Sequence, residues 1–264
     1  MNCSKITKSI FKKLKKRSPK SHKCQNGLVL IIAGSKQYQG SLVFSAKTAS
    51  RLADLIFACT AKENIPIIKK ISPELIVHPM KDSLKLAEKA DSILIGPGLE
   101  KNQKNKLLIK KILKKFWNKK TILDATALRL ISPENLHSNC CVTPHAKEFL
   151  ALFHEKPSKK TVFRNAQKNN CIIVAKSPID FISNGKKIFC NSTGNPGMTT
   201  GGTGDTLAGL IAGFAAKNSL LESALAACYL NGFAGDLLFK ERGFMFNAED
   251  LMEKLPIAYK KLSA

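Results

Sequence analysis

The segment Asn195-Pro196-Gly197-Met198-Thr199-Thr200-Gly201-Gly202-Thr203-Gly204-Asp205 sets four glycines just ahead of an apolar helical run. Glycine permits positive φ and close approach of a ligand to the backbone. A helix beginning near Gly204 points its free N–H groups and the positive end of its dipole back at this loop, a geometry that binds phosphate. A carboxylate in such a place repels phosphate. Asp205 therefore makes chemical sense as a base that takes a proton from a hydroxyl attacking a phosphoryl group. The plain alternative is that Asp205 caps the helix, which leaves the glycines unexplained. The G-x-x-x-x-G-K-[ST] order of a Walker A loop is absent, and no G-x-G-x-x-G follows the first strand, which disfavours a Rossmann dehydrogenase.

The elements that must position this loop alternate along the chain. Short apolar runs predict strands at Leu28–Ile32, Leu75–His78, Ser92–Ile95, Thr121–Leu123, Cys140–Val142, Cys171–Ala175, Asp180–Ser183 and Lys187–Cys190. Between and after them, periodicity predicts helices at 42–59, 81–89, 102–118, 146–153, 161–169, 204–216, 219–239 and 247–262. Such alternation implies an α/β fold with a mostly parallel sheet covered by helices. Asn184-Gly185 suits a type I′ hairpin turn. Four strands run into informative residues: Ala33-Gly34-Ser35, Gly96-Pro97-Gly98, Asp124, and Thr143-Pro144-His145. Ligands of open α/β sheets bind beyond the carboxyl ends of strands, so these residues predict one shared cleft.

The 264 residues suit one domain, read as 1–264 with a basic helix or extension over 1–20. Residues 1–23 hold nine Lys or Arg and no acid, and Ile6, Ile10, Phe11 and Leu14 share one face of a helix spanning Ser4 to Lys16. This segment reads as a surface helix rather than an Arg-rich transit peptide. The net charge of +24 comes mostly from dispersed Lys. No zinc-finger spacing or aromatic RNA-binding signature accompanies it, so no nucleic-acid partner is expected; a diffuse positive field also attracts nucleotides. No apolar run approaches the roughly 20 residues of a membrane span, and no signal-peptide pattern is present, so a cytoplasmic protein is expected. None of the eight cysteines forms a C-x-x-C pair, and buried reduced thiols are expected rather than zinc ligands.

At the glycine loop the sequence resembles a known family. The G-x-G-D element, Gly202 to Asp205, is similar to that of the ribokinase-like superfamily. The longer string Gly194 to Met198 followed by Gly201 to Asp205 resembles the ADP- or ATP-dependent NAD(P)H-hydrate dehydratases. The resemblance extends in order along the chain: Ser21-His22-Lys23, Ala33-Gly34-Ser35 with Tyr38 and Gly40, Gly96-Pro97-Gly98-Leu99, Asp124-Ala125 with Ala127-Leu128, Thr143-Pro144-His145 with Glu148, and Tyr229-Leu230, Gly232 and Ala234-Gly235-Asp236.

The resemblance implies a ribokinase-like fold, with helices on both faces of the sheet. It implies a lyase that restores hydrated NADH or NADPH at the expense of ADP or ATP, with Mg2+, by phosphorylating the hydrate hydroxyl and expelling phosphate. By the same resemblance, Asp205 is catalytic, and Ser41, Gly98, His145 and Asp205 bind the dinucleotide. Lys176, Ser177, Pro178, Ile179, Asp180 and Gly204 bind nucleotide, and Gly202, Thr203 and Gly204 form the anion hole. No metal ligands stand out. A homo-oligomer, a tetramer by the family's habit, and a separate NAD(P)H-hydrate epimerase are implied as well. A small-molecule kinase of the same superfamily is the alternative. Departures from the family pattern are Ser177-Pro178 in place of a glycine, Glu100, Thr126, and Ala146-Lys147.

Overall fold

Parallel strands covered on both faces must be apolar throughout rather than alternating, and Val29–Ile32 and Ile93–Ile95 are fully buried in this way. The computed structural model describes residues 2–263; Met1 and Ala264, the ends of the expected domain, lie outside the described residues. The strands are β1 Ser4–Lys5, β2 Leu28–Ile32, β3 Leu55–Thr60, β4 Ile76–Pro79, β5 Ser92–Ile95, β6 Lys120–Leu123, β7 Cys140–Val142, β8 Ile172–Ala175, β9 Asp180–Ser183 and β10 Ile188–Asn191. The α-helices are α1 Gln39–Ser50, α2 Asn64–Ile71, α3 Ser83–Lys89, α4 Gln103–Lys115, α5 Thr126–Leu130, α6 Ala146–Phe153, α7 Lys159–Lys168, α8 Thr203–Ala215, α9 Leu220–Arg242 and α10 Ala248–Ser263.

The strands join in one sheet in the order β1-β10-β9-β8-β7-β6-β5-β2-β3-β4. β2 through β8 are parallel, and β9 is antiparallel to both of its neighbours. One core packs α1, α8, α9 and α10 on the sheet through residues such as Leu42, Ile211, Leu230 and Leu255. The other packs α3 to α7 on the opposite face through Leu86, Ile112, Leu128, Phe149 and Val162. The expected mostly parallel sheet with helices on both faces is the architecture found.

Three expectations need correction. The helix expected over 42–59 is α1 followed by strand β3. Arg51 to Asp54 contains no Gly or Pro to mark the break; the chain is turned instead by the Asp54 and Leu55 N–H groups, which donate to Gly27 O at 3.0 and 3.3 Å. The basic helix expected over 4–16 is β1, paired with edge strand β10, followed by a 3-10 helix at Lys8–Lys13. The expected apolar positions are nonetheless the buried ones: Ile6, Ile10, Phe11 and Leu14. The Phe11 ring meets Tyr229 of α9 and Tyr259 of α10 at centroid distances of 6.1 and 5.9 Å. The hairpin at Asn184-Gly185 is not a two-residue type I′ turn, because Ser183 pairs with Ile188 and four residues lie between them. Gly185 alone in that loop takes positive φ, and Asn184 Oδ1 accepts from Lys186 and Lys187 N–H. Five cysteines, at 59, 140, 141, 171 and 228, are buried as free thiols, whereas Cys190 is only partly covered.

The topology locates the cleft. From β2 the chain winds outward to β4, and from β5 it winds the other way to β8. The connections leaving β2 and β5 therefore run in opposite directions at a switch point. Across it the Gly34 N–H donates to Pro97 O at 2.8 Å. Below it α1 and α8 touch backbone to backbone: a Cβ added at Gly209 would lie 2.4 Å from the Ser45 carbonyl oxygen. Gly209→Ala should thus wedge α1 from α8 and destabilise the fold by about 1–3 kcal/mol in denaturant unfolding. An unchanged unfolding midpoint would show that the helices yield freely at this contact.

Candidate active site

Adjacent strands β2, β5, β6, β7 and β8 all end on one edge of the sheet, and the residues that follow them form the site floor. Beyond β6, β7 and β8 the side chains interlock. The Thr143 hydroxyl donates to Asp124 Oδ1 at 2.7 Å, and Lys176 Nζ donates to the same oxygen at 2.8 Å. The Asp124 carboxylate is 3% exposed and the Lys176 side chain 21%, so this ion pair is shielded from water on one side only. Lys176 is held against His145 by backbone pairing, with its N–H donating to Pro144 O at 2.9 Å. Ala125, directly after Asp124, has φ 50° and ψ −120°. That is a strained conformation for a residue with a Cβ.

The glycine loop closes over this floor from α9. Asp236 accepts from the Gly194 N–H at 3.0 Å and from Asn195 Nδ2 at 3.2 Å. A Cβ at Gly235 would lie 2.4 Å from Met198 Sδ, so the loop seats directly on that helix. Gly202, with φ 97°, precedes the first residue of α8. The Thr203 hydroxyl donates to Met198 O at 2.7 Å. The first helical bond runs from Thr206 N–H to Gly202 O at 2.9 Å, which leaves the N–H groups of Thr203, Gly204 and Asp205 without helical partners. Asp205 lies in the first turn, and no side chain caps this helix. The simple capping role weighed for Asp205 is therefore not the one it has here.

The charges around Asp205 are unbalanced. Burial, and next the Asp124 carboxylate, push its carboxyl up to about 7; the Ser41 hydroxyl and Lys176 pull the other way, and Glu148 adds to the rise. Burial alone would lower the Lys176 ammonium, but Asp124, Glu148 and Asp205 together hold it above the ordinary lysine value. His145 begins α6, and its Nδ1 accepts from the Lys147 and Glu148 N–H groups at 3.1 and 3.3 Å. Its Nε2 lies 3.4 Å from Glu148 Oε1.

A cavity of about 540 Å³ opens beside this cluster. Of the sequence-predicted residues, His145, Lys176, Ser177, Pro178, Asp180, Thr203 and Gly204 line it, whereas Ile179 and Gly202 do not. Ser41, Gly98 and Asp205 are not among its lining residues either; Ser41 acts on the Asp205 carboxyl and stands beside the Gly98 turn. Gly98, at φ +64°, abuts both the Tyr38 carbonyl and Ser41 Cβ, so any side chain there would collide with the first loop. Burial also raises the Asp180 carboxyl, against the Ser177 N–H, Asn191 and Lys176, which lower it. The sequence reading missed Asn191 and Asn231 on the cavity wall. Asn231 Oδ1 is buried with no hydrogen-bond partner among the described residues, a signal visible only once the helix is packed.

The NAD(P)H-hydrate dehydratase family model matches residues 29–257. The chain belongs to this family. It is 39% identical over 260 residues to an ADP-dependent (S)-NAD(P)H-hydrate dehydratase of Cenarchaeum symbiosum, covering 91% of each chain. It spans about half the length of the bifunctional NAD(P)H-hydrate repair relatives it also matches. A ribokinase-like superfamily protein of Enterococcus faecalis superposes with a TM-score of 0.91 at 30% identity, covering 99% of this chain and 96% of that one. A Bacillus subtilis ADP/ATP-dependent NAD(P)H-hydrate dehydratase, co-crystallised with ATP and Mg2+, superposes at 0.87 with 25% identity, covering 99% of both. The fold is ribokinase-like, and the dehydratases of the family are hydro-lyases.

The raised carboxyl has a stability consequence. Its folded value, about 7, lies above the ordinary 3.8. Between those values the folded chain keeps a proton that the unfolded chain has released, so stability falls as pH rises across the window. Asp205→Asn removes the effect. Its thermal midpoint should gain on wild type progressively from about pH 4 to about pH 7 and by no more above that. An advantage independent of pH would show that Asp205 titrates as an ordinary carboxylate.

Proposed function

We propose that the chain is a nucleotide-dependent dehydratase that returns hydrated NADH and NADPH to the reduced dinucleotides. The observation that carries the reading is the position of Asp205. It stands in the first turn of α8, next to Gly204 of the cavity wall, where both Lys176 and Ser41 act on its carboxyl.

In this reading ADP or ATP occupies the cavity, walled by the Lys176–Asp180 segment. Its reacting phosphate lies at the anion hole of Gly202, Thr203 and Gly204, where unpartnered N–H groups meet the charge that develops during transfer. The hydrate lies against Ser41, Gly98 and His145. Asp205 takes the proton of the hydrate hydroxyl as its oxygen bonds to phosphorus and the bond to the nucleotide oxygen breaks. Phosphate then departs with the C–O electron pair, and the neighbouring ring carbon gives up a proton to restore the double bond. A carboxyl near 7 suits a base working close to neutrality. His145 reaches the substrate from the cavity wall, its ring held by the Lys147 and Glu148 N–H groups at Nδ1 and by the Glu148 carboxylate beside Nε2.

Mg2+ would arrive on the nucleotide. Among the described residues no three His, Cys, Asp or Glu side chains converge to hold a cation, and Asp124 is already bonded to Lys176 and Thr143. Phosphate oxygens and water commonly supply most magnesium ligands. The proposed setting is a cytoplasmic homo-oligomer served by a separate hydrate epimerase. No described helix is long and apolar enough to cross a membrane.

The test mixes purified protein with NADH hydrate, Mg2+ and either ADP or ATP, and follows the return of NADH absorbance together with free phosphate. Recovery that requires one nucleotide is expected. Asp205→Asn should lower turnover by about a thousandfold, and the wild-type rate should rise with pH through about 7, since the base acts deprotonated. A stable phosphorylated product without NADH would make the protein a kinase instead.

A further inference from the structure

A second cavity, of about 510 Å³, lies at the other end of α8. Phe214 there is ten residues from Gly204, about 15 Å along the helix at 1.5 Å per residue. The cavity is lined by Lys15, Lys16, Arg17, Arg51 and Lys217, with Tyr259 on its wall. Among the described residues, no carboxylate lines it. Asp54 is nearby, 3.6 Å from Arg17. Among the described residues, Lys15, Lys16 and Arg51 have no carboxylate within 4.0 Å.

The fold holds these charges together against their repulsion. Leu14 is buried, and the Lys15 N–H donates to Asn218 Oδ1 at 2.7 Å, which fixes the basic run at the cavity. Lys217 Nζ is tied to Asn26 Oδ1 at 2.7 Å. The carbonyl end of α8, which would oppose an anion, is already capped: Lys120 Nζ donates to Ala215 O and Asn218 O at 2.7 and 2.8 Å. Tyr259 lies against Phe11 and Phe214 at centroid distances of 5.9 and 6.1 Å, an aromatic wall beside the cations. Five cations around one concavity, of which Arg17 alone among the described residues has a carboxylate within 4.0 Å, form a positive field that a multivalent anion relieves. Leu14 to Arg17 precede the segment matched by the family model, which begins at residue 29.

We propose that this cavity is a second ligand site, which binds the phosphate groups of a compact polyphosphorylated small molecule. The phosphates meet Lys16, Arg51 and Lys217. The source is either an inorganic polyphosphate or a nucleoside polyphosphate whose base lies on the Tyr259 wall. The site is independent of the catalytic reading, because none of its residues lines the first cavity.

Calorimetric titration with inorganic pyrophosphate, and separately with ADP, counts the sites per chain. Lys16 and Arg51 are both exposed, so the double variant Lys16→Glu/Arg51→Glu should fold, which a thermal melt checks. Relative to wild type, that variant should lose one site, or bind at it at least about tenfold more weakly. The control Lys111→Glu/Lys114→Glu, on exposed positions of α4, makes the same change in net charge and should keep both sites. Tighter binding of ADP than of pyrophosphate at the affected site assigns it to a nucleotide; equal binding assigns it to phosphate groups alone. Full retention of binding in Lys16→Glu/Arg51→Glu, or equal loss in both variants, overturns the proposal, the latter by showing only a diffuse field.

Discussion

Lys176 faces four carboxylates, Asp124, Glu148, Asp180 and Asp205, and contacts only one of them, Asp124, at 2.8 Å. That inequality sets the chemistry of the site. A unit charge pair at 4 Å is worth about 4 kcal/mol at an effective dielectric of 20, so which carboxylate takes the contact matters. Asp124 wins because Thr143 adds a second hydrogen bond to the same oxygen. Asp205, partly buried and facing the Asp124 charge, is left with a carboxyl near 7. Had Lys176 paired with Asp205 instead, the favoured ionised form would make a poor base. Because Asp124 is almost fully buried, the pair is also one whose disruption would leave a lone charge in a poor solvent.

The geometry that keeps this inequality stable is a matter of backbone contact. Lys176 follows β8 and Asp124 follows β6, so their separation is set by the ladder through β7. Asp205 comes from α8, and its height above the sheet is set by the contact of Gly209 with Ser45 of α1. The same α1 carries Ser41, which touches both Asp205 and the Gly98 turn. Two glycines with different duties thus fix one serine: Gly209 lets the helices meet, and Gly98 lets the strand-end turn approach.

What the sequence made legible follows from which signals are local. The ends of β2, β5, β6 and β7 could be read because buried parallel strands are continuous apolar runs that stop at Gly, Asp, or Thr-Pro-His. The α8 loop could be read because its glycines are needed where they stand. β3 was hidden because Arg51–Asp54 turns the chain without Gly or Pro, through bonds to Gly27, which lies 24 residues or more earlier in sequence. The segment at 4–16 showed its apolar positions but not its conformation, since a helix and a strand followed by a 3-10 helix can bury the same four residues. Asp236 could be matched only by resemblance, and its work, holding Gly194 and Asn195, depends on a contact across 41 or 42 positions. Asn231 carries no sequence signal at all, because its orphaned oxygen exists only in the packed state.

The segment after Lys176 shows how a departure from a family pattern can be absorbed. Pro178 has no N–H to offer a nucleotide. The Ser177 N–H is also engaged, since it donates to Asp180 Oδ1 at 3.0 Å, while Asn191 Nδ2 donates to the other Asp180 oxygen at 3.1 Å. The Ser177 hydroxyl turns inward as well, to Ile179 O. The segment is therefore closed on itself, a shaped wall rather than a row of donors. The free N–H groups at the start of α8 and the Lys176 ammonium stand together, with Lys176 Nζ 3.6 Å from where a Gly204 Cβ would lie. A Cβ at 204 would bring a methyl into van der Waals contact with that ammonium, so glycine leaves the charge and the backbone donors next to one another.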